Sequence, residues 1–146
     1  MKSKKLKEEL IEYLEMLKAK KVNTKRKVNL KFELKAKQLL NNYIKILRKE
    51  AYQDNPDSQF ELALCYDNGL LGDKFRKYKY WIEKAAKNNH PAACNIYGWI
   101  IESESPTSIA KMKKAIIWYK KSAELGDILG KKNLKIAERQ ILKMGN

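Results

Sequence analysis

Glycine, proline, cysteine and histidine are all scarce in this chain of 146 residues, which contains 6, 3, 2 and 1 of them respectively. Few glycines and prolines favour long helices over the short strands and tight turns of an all-β domain. Two cysteines allow one disulfide at most, and a single histidine leaves a zinc site short of ligands. We therefore predict an all-α protein with no metal site and no cofactor.

Long apolar runs are missing as well. Residues 1–10 are charged throughout and lack the apolar core of a signal peptide, and no apolar run elsewhere reaches the length of a membrane span. We expect a soluble, cytoplasmic protein that is not exported by the general secretory route. Export by a specialised secretion system would leave no recognisable signal and stays open.

Positive charge is abundant and unevenly placed. The formal net charge is +15, and residues 1–50 hold 16 Lys or Arg against 6 Asp or Glu. The densest basic run covers residues 18–27 and contains no acid. Its bases form a candidate site for nucleic acid or another anionic surface: Lys18, Lys20, Lys21, Lys25, Arg26 and Lys27. The run has no aromatic residue to stack on bases, and a solvated helical hairpin explains the same charges.

Residues 1–52 are predicted to form a basic helical hairpin. Apolar residues recur at helical spacing over residues 3–20 and again over residues 26–52. Residues 28–34 also alternate between apolar and polar types, which is the period of a strand. We predict helix there, because no second strand candidate lies nearby and a lone strand leaves its backbone groups unsatisfied.

The rest of the chain contains a repeat that becomes visible when segments are aligned on tryptophan. Trp81 begins one copy and Trp118 begins the next, 37 residues later, while a fainter copy starts at Ile46, 35 residues before Trp81. The segments between these copies repeat at the same offsets. We predict that both tryptophans lie in the core and that Ala86 and Ala123 lie where helices cross closely.

At these residues the chain resembles the Sel-one-like repeat family, a branch of the tetratricopeptide-like solenoids, over about residues 54–137. The most specific match is Trp118-Tyr-x-Lys-Ser-Ala123, with Trp81 to Ala86 as its earlier copy. The resemblance implies a short right-handed α-solenoid of antiparallel helix pairs, with about seven helices in all. Residues 53–146 would form the repeats and residues 1–52 a basic cap, within a single compact domain overall.

The resemblance also implies a function in protein–protein interaction, as an adaptor or inhibitor without enzymatic activity. In that family the first helix of each repeat lines a concave groove that binds the partner. The positions carried over to this chain are Phe60, Leu64, Asp67, Asn68, Asn95, Trp99, Glu102, Lys132, Ile136 and Arg139. The alternative for Phe60 and Trp99 is that they simply pack against the N-terminal helices.

Two other functions stay open from the sequence. The basic hairpin could bind nucleic acid through its phosphates, which would make the protein nucleic-acid-associated. More remotely, Cys65 and His90 could form a nucleophilic dyad, although no third residue is evident to orient them. The sequence names neither the partner nor the oligomeric state.

Overall fold

A computed structural model describes residues 2–20, 26–72 and 74–144, and this part of the chain contains seven α-helices and no strand. The helices are α1 (Lys2–Lys20), α2 (Arg26–Tyr52), α3 (Pro56–Asp67), α4 (Phe75–Lys87), α5 (Pro91–Ser103), α6 (Ile109–Glu124) and α7 (Ile128–Met144). The all-α prediction is confirmed, and so is helix over residues 26–34. The chain divides into two compact units, Met1–Glu50 and Ala51–Asn146, which are described separately.

The first unit is an antiparallel helical hairpin. Near its open end, the backbone N–H of Ser3 on α1 donates a hydrogen bond of 3.3 Å to Glu50 Oε1 on α2. Further along, the Lys35 ammonium lies 5.1 Å from the centre of the Tyr13 ring. Leu10, Tyr13 and Ile44 are buried, as their helical spacing requires. That the first 52 residues cap a helical stack stays a prediction.

The second unit is built from antiparallel helix pairs. Ser122 near the end of α6 donates a hydrogen bond of 2.9 Å to the carbonyl of Pro91 at the start of α5. At the other end of the same pair, Ile101 of α5 packs on the cluster that contains Met112 of α6. Helices α3 and α4 form the preceding pair and α7 follows α6. We refer to α3, α5 and α7 as first helices, and to α4 and α6 as second helices.

The repeat is visible in the backbone of the connections between helices. Asp54, Asn89 and Gly126 occupy the same repeat position, and all three have left-handed φ angles, of 59°, 66° and 89°. A left-handed residue is the usual end of a helix, because it lets the last carbonyls find partners. The faint copy that begins at Ile46 therefore ends like the two clear ones.

Small residues allow the helices to approach closely. A Cβ atom added to Gly98 of α5 would lie 2.8 Å from the Tyr119 ring of α6. Ala86 is fully buried beside Ala93 and Cys94, where α4 crosses α5. The equivalent Ala123 is only half-buried, and the fully buried residue next to it is Ser122. The close crossing is present at both positions, because a Cβ atom added to Gly130 of α7 would lie 2.5 Å from Ser122 Cβ and 3.2 Å from the backbone nitrogen of Ala123. Ala123 itself is less buried than Ala86.

Candidate functional site

The exposed side of the first helices carries an apolar row. Leu64 of α3, Trp99 of α5 and Ile136 of α7 occupy the same position in successive repeats. Leu64 is half-buried, whereas Trp99 and Ile136 keep 54% and 43% of their surface exposed. A solvent-exposed tryptophan on a helix that is otherwise well buried costs hydrophobic free energy unless something covers it. We call Leu64, Trp99 and Ile136 the apolar row.

Single side-chain contacts connect the first helices of neighbouring repeats. The Phe60 ring on α3 stacks on the imidazole of His90 at the start of α5, with ring centres 4.1 Å apart. Further on, the Asn133 side chain of α7 donates a hydrogen bond of 2.8 Å to Asn95 Oδ1 on α5. We call the exposed side of α3, α5 and α7 the first-helix face.

The ten predicted groove residues differ in how accessible they are. Phe60 is half-buried and packs against the cluster around Ala86 and Cys94, and Asn95 is buried at the contact with Asn133. Leu64 and Glu102 are half-exposed. The remaining six are exposed to solvent: Asp67, Asn68, Trp99, Lys132, Ile136 and Arg139. Truncation of Phe60 would therefore change stability, which leaves Trp99 as the cleaner probe of the face.

A second row on this face is charged and changes sign along the stack. Asp67, Glu102 and Arg139 occupy equivalent positions on α3, α5 and α7. Glu102 also accepts a hydrogen bond of 2.6 Å from the hydroxyl of Tyr119, and burial together with this bond raises the pKa of that tyrosine. The groove residues thus place a carboxylate on α3, another on α5 and a guanidinium on α7.

His90 has a structural role that the sequence did not reveal. Its Nδ1 accepts a hydrogen bond of 3.1 Å from the backbone N–H of Ala93, so His90 is the N-cap of α5. Asn55 caps α3 in the same way, and Asp127 accepts from the N–H of Gly130 in α7. These three residues share one repeat position, so aligning the repeat on the helix starts would have found the caps.

The candidate Cys65–His90 dyad is not supported by these surroundings. Cys65 and Cys94 are both buried and form no disulfide. The Nδ1 lone pair of His90 is used as the helix cap, and its ring is covered on one side by Phe60. A general base needs a lone pair available to its substrate.

Acidification should weaken the cap of α5. Burial lowers the pKa of His90 below its usual range, although Asp57, Glu61 and Asp127 oppose this. As the pH falls, the His90 imidazole is therefore protonated more readily in the unfolded chain than in the folded chain. The contribution of His90 to stability is complete above the unfolded pKa of about 6.5 and declines as the pH falls through the lower folded pKa. Loss of an N-cap typically costs about 1 kcal/mol.

We expect His90→Asn to reduce this pH dependence, because asparagine caps α3 at the equivalent position without titrating. The measurement is denaturant unfolding followed by tryptophan fluorescence between about pH 8 and pH 5. All three tryptophans lie between residues 81 and 118, so the signal reports on the second unit. Equal slopes of stability against pH for the variant and the wild type would contradict the assignment.

The glycine-free loop after α5 is held by a carboxylate between two helices. The Glu104 carboxylate accepts a hydrogen bond of 2.8 Å from the Lys111 ammonium of α6 and another hydrogen bond from the Lys79 ammonium of α4. The hydrogen bonds from these two ammonium groups, together with their charges, hold the pKa of Glu104 at about 2. Exposed pairs of this kind add little to stability, but they fix where the loop lies relative to α4 and α6.

The candidate anion site lies mostly outside what the structure describes. Lys21 and Lys25 fall outside the described residues. Lys18 and Lys20 lie in α1, and Arg26 and Lys27 in α2, but their side chains are also outside the description. The anion-binding role of this run stays a prediction. Within the described residues, no cluster of three or more His, Cys, Asp or Glu could hold a metal ion, and no helix has the length and apolarity to cross a membrane.

Comparison with known families identifies the repeat. The Sel1 repeat family matches residues 56–90 and again residues 91–127, which are the pairs α3–α4 and α5–α6. Residues 56–127 form two Sel1 repeats. The Sel-one-like resemblance is therefore confirmed, and the left-handed Asn89 and the cap His90 lie where the first repeat ends. No curated protein and no solved structure matches the chain.

The family gives a general indication of function. Sel1 repeats are generally scaffolds for protein–protein interaction and are typically not catalytic. A helical solenoid of this kind presents an extended surface, and the specificity of that surface depends on the exposed side chains. On the first-helix face, the exposed side chains include Trp99 and Ile136 of the apolar row and Asp67 and Arg139 of the charged row.

Proposed function

We propose that this protein is an adaptor or inhibitor that binds a segment of another protein on the first-helix face. The observation that supports it best is the apolar row, because the equivalent position of three successive first helices carries an accessible apolar side chain. Exposed apolar groups that repeat in register, with charges beside them, are typical of surfaces that bind a peptide or a helix.

Trp99 is the expected anchor of this interaction. It belongs to the central first helix, so a bound segment can cover it together with Leu64 on one side and Ile136 on the other. Tryptophan is enriched among the residues that dominate binding energy, and truncating such an anchor typically costs about 2 kcal/mol or more. Its 54% exposure means that the fold depends on it much less than binding does.

We expect Trp99→Ala to lower the affinity for the native partner about 30-fold or more while leaving the melting temperature nearly unchanged. The matched control is Ile117→Ala, which removes an apolar side chain of 64% exposure from the second helix α6. Affinity capture from extracts of the native host, with mass spectrometry, identifies the partner, and titration with the purified partner gives the two affinities.

Two outcomes decide the proposal. Loss of binding in Trp99→Ala with retention in Ile117→Ala supports it, provided that nuclease treatment of the extract leaves the partner bound. Equal affinities for Trp99→Ala and the wild type would remove the first-helix face from the interaction. Binding that disappears with nuclease and falls steeply with salt would instead point to the basic run at residues 18–27.

A further inference from the structure

Charge in the second unit is sorted by helix. Helices α3 and α5 together contain four acidic residues and no Lys or Arg, whereas α4, α6 and α7 each contain five basic residues and one acidic residue. At the chain's average of 32 Lys or Arg in 146 residues, helices of 12 and 13 residues would hold about five. Helices α3 and α5 are thus acidic within a protein of net charge +15.

Burial does not account for the charge of α3, although on α5 it leaves only Trp99 and Ser103 exposed. Asp57 and Asp67 on α3 are exposed to solvent and Glu61 is half-exposed, so these positions could hold lysine as readily as the exposed positions of α4 do. Every charged side chain that α3 presents to solvent is nevertheless an acid. The selection therefore acts on the sign of the charge and not on its accessibility.

Helix stability accounts for Asp57, which lies in the first turn of α3, but not for the acids at the other end of α3 and α5. Asp67 is the last residue of α3 and Glu102 lies in the last turn of α5, and neither last turn contains a base. The carbonyl end of a helix carries partial negative charge, so acids there destabilise the helix and bases stabilise it. Helices α4, α6 and α7 each have lysine in the last turn, although α6 also ends at Glu124. Helices α3 and α5 differ in that they place carboxylates beside their carbonyl ends with no base in the last turn.

We infer that the segment bound on the first-helix face is cationic, with its Lys or Arg side chains over α3 and α5 and its apolar side chains on the apolar row. This inference rests on the proposed function. The carboxylates of Asp67 and Glu61 and the carbonyl ends of α3 and α5 together attract a cation at close range. Lys132 and Arg139 on α7 repel it, so the basic end of the segment lies at the α3 side.

The overall charge of the protein makes this arrangement selective. A net charge of +15 repels cationic molecules in general, and that repulsion is screened over about 8 Å at physiological salt. Only a segment that reaches the first-helix face meets the carboxylates at short range. A nucleic acid is the opposite case, because its phosphates would be repelled by α3 and α5. The charge pattern therefore identifies a basic stretch of polypeptide as the occupant of this face.

The inference is tested with a dye-labelled helical peptide of leucine and lysine, about 18 residues or five turns long, and the same peptide with glutamate for lysine. The full chain is used, and binding is followed by fluorescence anisotropy. We expect the lysine peptide to bind despite the net positive charge of the protein. The double substitution Glu61→Gln with Asp67→Asn should lower the affinity for this peptide about tenfold. The matched control, Glu124→Gln with Glu138→Gln, removes two exposed acids from α6 and α7 and should change the affinity less than about twofold.

A third variant tests the direction of the charge along the face. Lys132→Gln with Arg139→Gln removes the bases of α7 and should strengthen binding of the lysine peptide. Weaker binding after this change would overturn the placement of the basic end over α3. Absence of any binding of the lysine peptide, or equal loss in the α3 and control variants, would overturn the inference as a whole. Thermal unfolding of each variant confirms that the fold is retained.

Trp99→Ala separates failure of this inference from failure of the proposed function. Suppose that Trp99→Ala weakens binding of both the lysine peptide and the native partner, while Glu61→Gln with Asp67→Asn changes neither affinity. The scaffold function then stands and the charge inference is wrong. If the α3 variant weakens binding of the peptide and Trp99→Ala does not, the ligand is cationic as inferred, but the apolar row does not bind it. If neither variant has an effect, both are wrong.

Discussion

Replacing Ala86 by glutamate should unfold the second unit. Ala86 is fully buried between α4 and α5, packed with Ala85, Ala93 and Cys94. Its carbonyl also accepts from the Cys94 thiol at 3.4 Å and from the Lys121 ammonium at 3.2 Å. There is no space for a larger side chain and no route by which a carboxylate could reach water without separating the two helices.

The expected cost exceeds what a unit of this size can absorb. Overpacking a core position typically costs about 1–3 kcal/mol, and an unpaired buried charge adds several more. A domain of this size is stable by about 5–15 kcal/mol in total. We therefore expect Ala86→Glu to be largely unfolded at room temperature, with helical circular dichroism reduced and tryptophan fluorescence shifted to that of the unfolded chain.

Lys87→Glu is the matched control, one residue further along α4. Lys87 is exposed and pairs with Glu83 at 2.7 Å across one helical turn. Its replacement exchanges a weak attraction for a weak repulsion, which changes stability by no more than about 1 kcal/mol. Thermal unfolding of both variants decides the matter. A melting temperature for Ala86→Glu equal to that of the wild type would mean that the repeat has been aligned incorrectly.

Truncation of Trp81 is the second change with a large expected effect. The Trp81 side chain is 4% exposed, and its ring makes edge-to-face contacts with Tyr52 and Tyr80, each with centres 5.1 Å apart. Removing a buried tryptophan typically costs about 3–5 kcal/mol, because apolar contacts are lost and a cavity remains. For a unit of about 100 residues, each kcal/mol corresponds to a decrease of roughly 4–8 °C in melting temperature.

Trp118→Ala provides the comparison, because it removes the same residue type from the same repeat position. Trp118 is only half-buried, with the Tyr97 ring against it and the Lys121 ammonium 5.1 Å from its centre. We expect it to cost less than Trp81→Ala by at least about 1 kcal/mol. The readout is denaturant unfolding followed by circular dichroism. Equal losses in the two variants would show that exposure does not distinguish these copies.

The repeat and its helices could be predicted from the sequence because their signals are local. Helical spacing of apolar residues and the tryptophans at an offset of 37 gave the helix pairs, and the absence of a partner strand correctly favoured helix over residues 26–34. The positions of the apolar row followed from the same alignment, since Leu64, Trp99 and Ile136 are related by the repeat. The accessibility of the row could not be read from the alignment.

What the sequence determined by itself is the periodicity, and what only the tertiary structure decided is how each copy of the repeat is used. Trp81 and Trp118 are equivalent in sequence, yet one is buried and the other half-buried. The Tyr52 and Tyr80 rings pack against Trp81, whereas Trp118 has the Tyr97 ring and the Lys121 ammonium against it. His90 caps α5 through a backbone N–H that becomes free only at a helix start, so the sequence indicates this cap only once the repeat is aligned on the helix starts. The acidic character of α3 and α5 is likewise invisible in a net charge of +15, because a net charge adds up residues that the fold places on different helices.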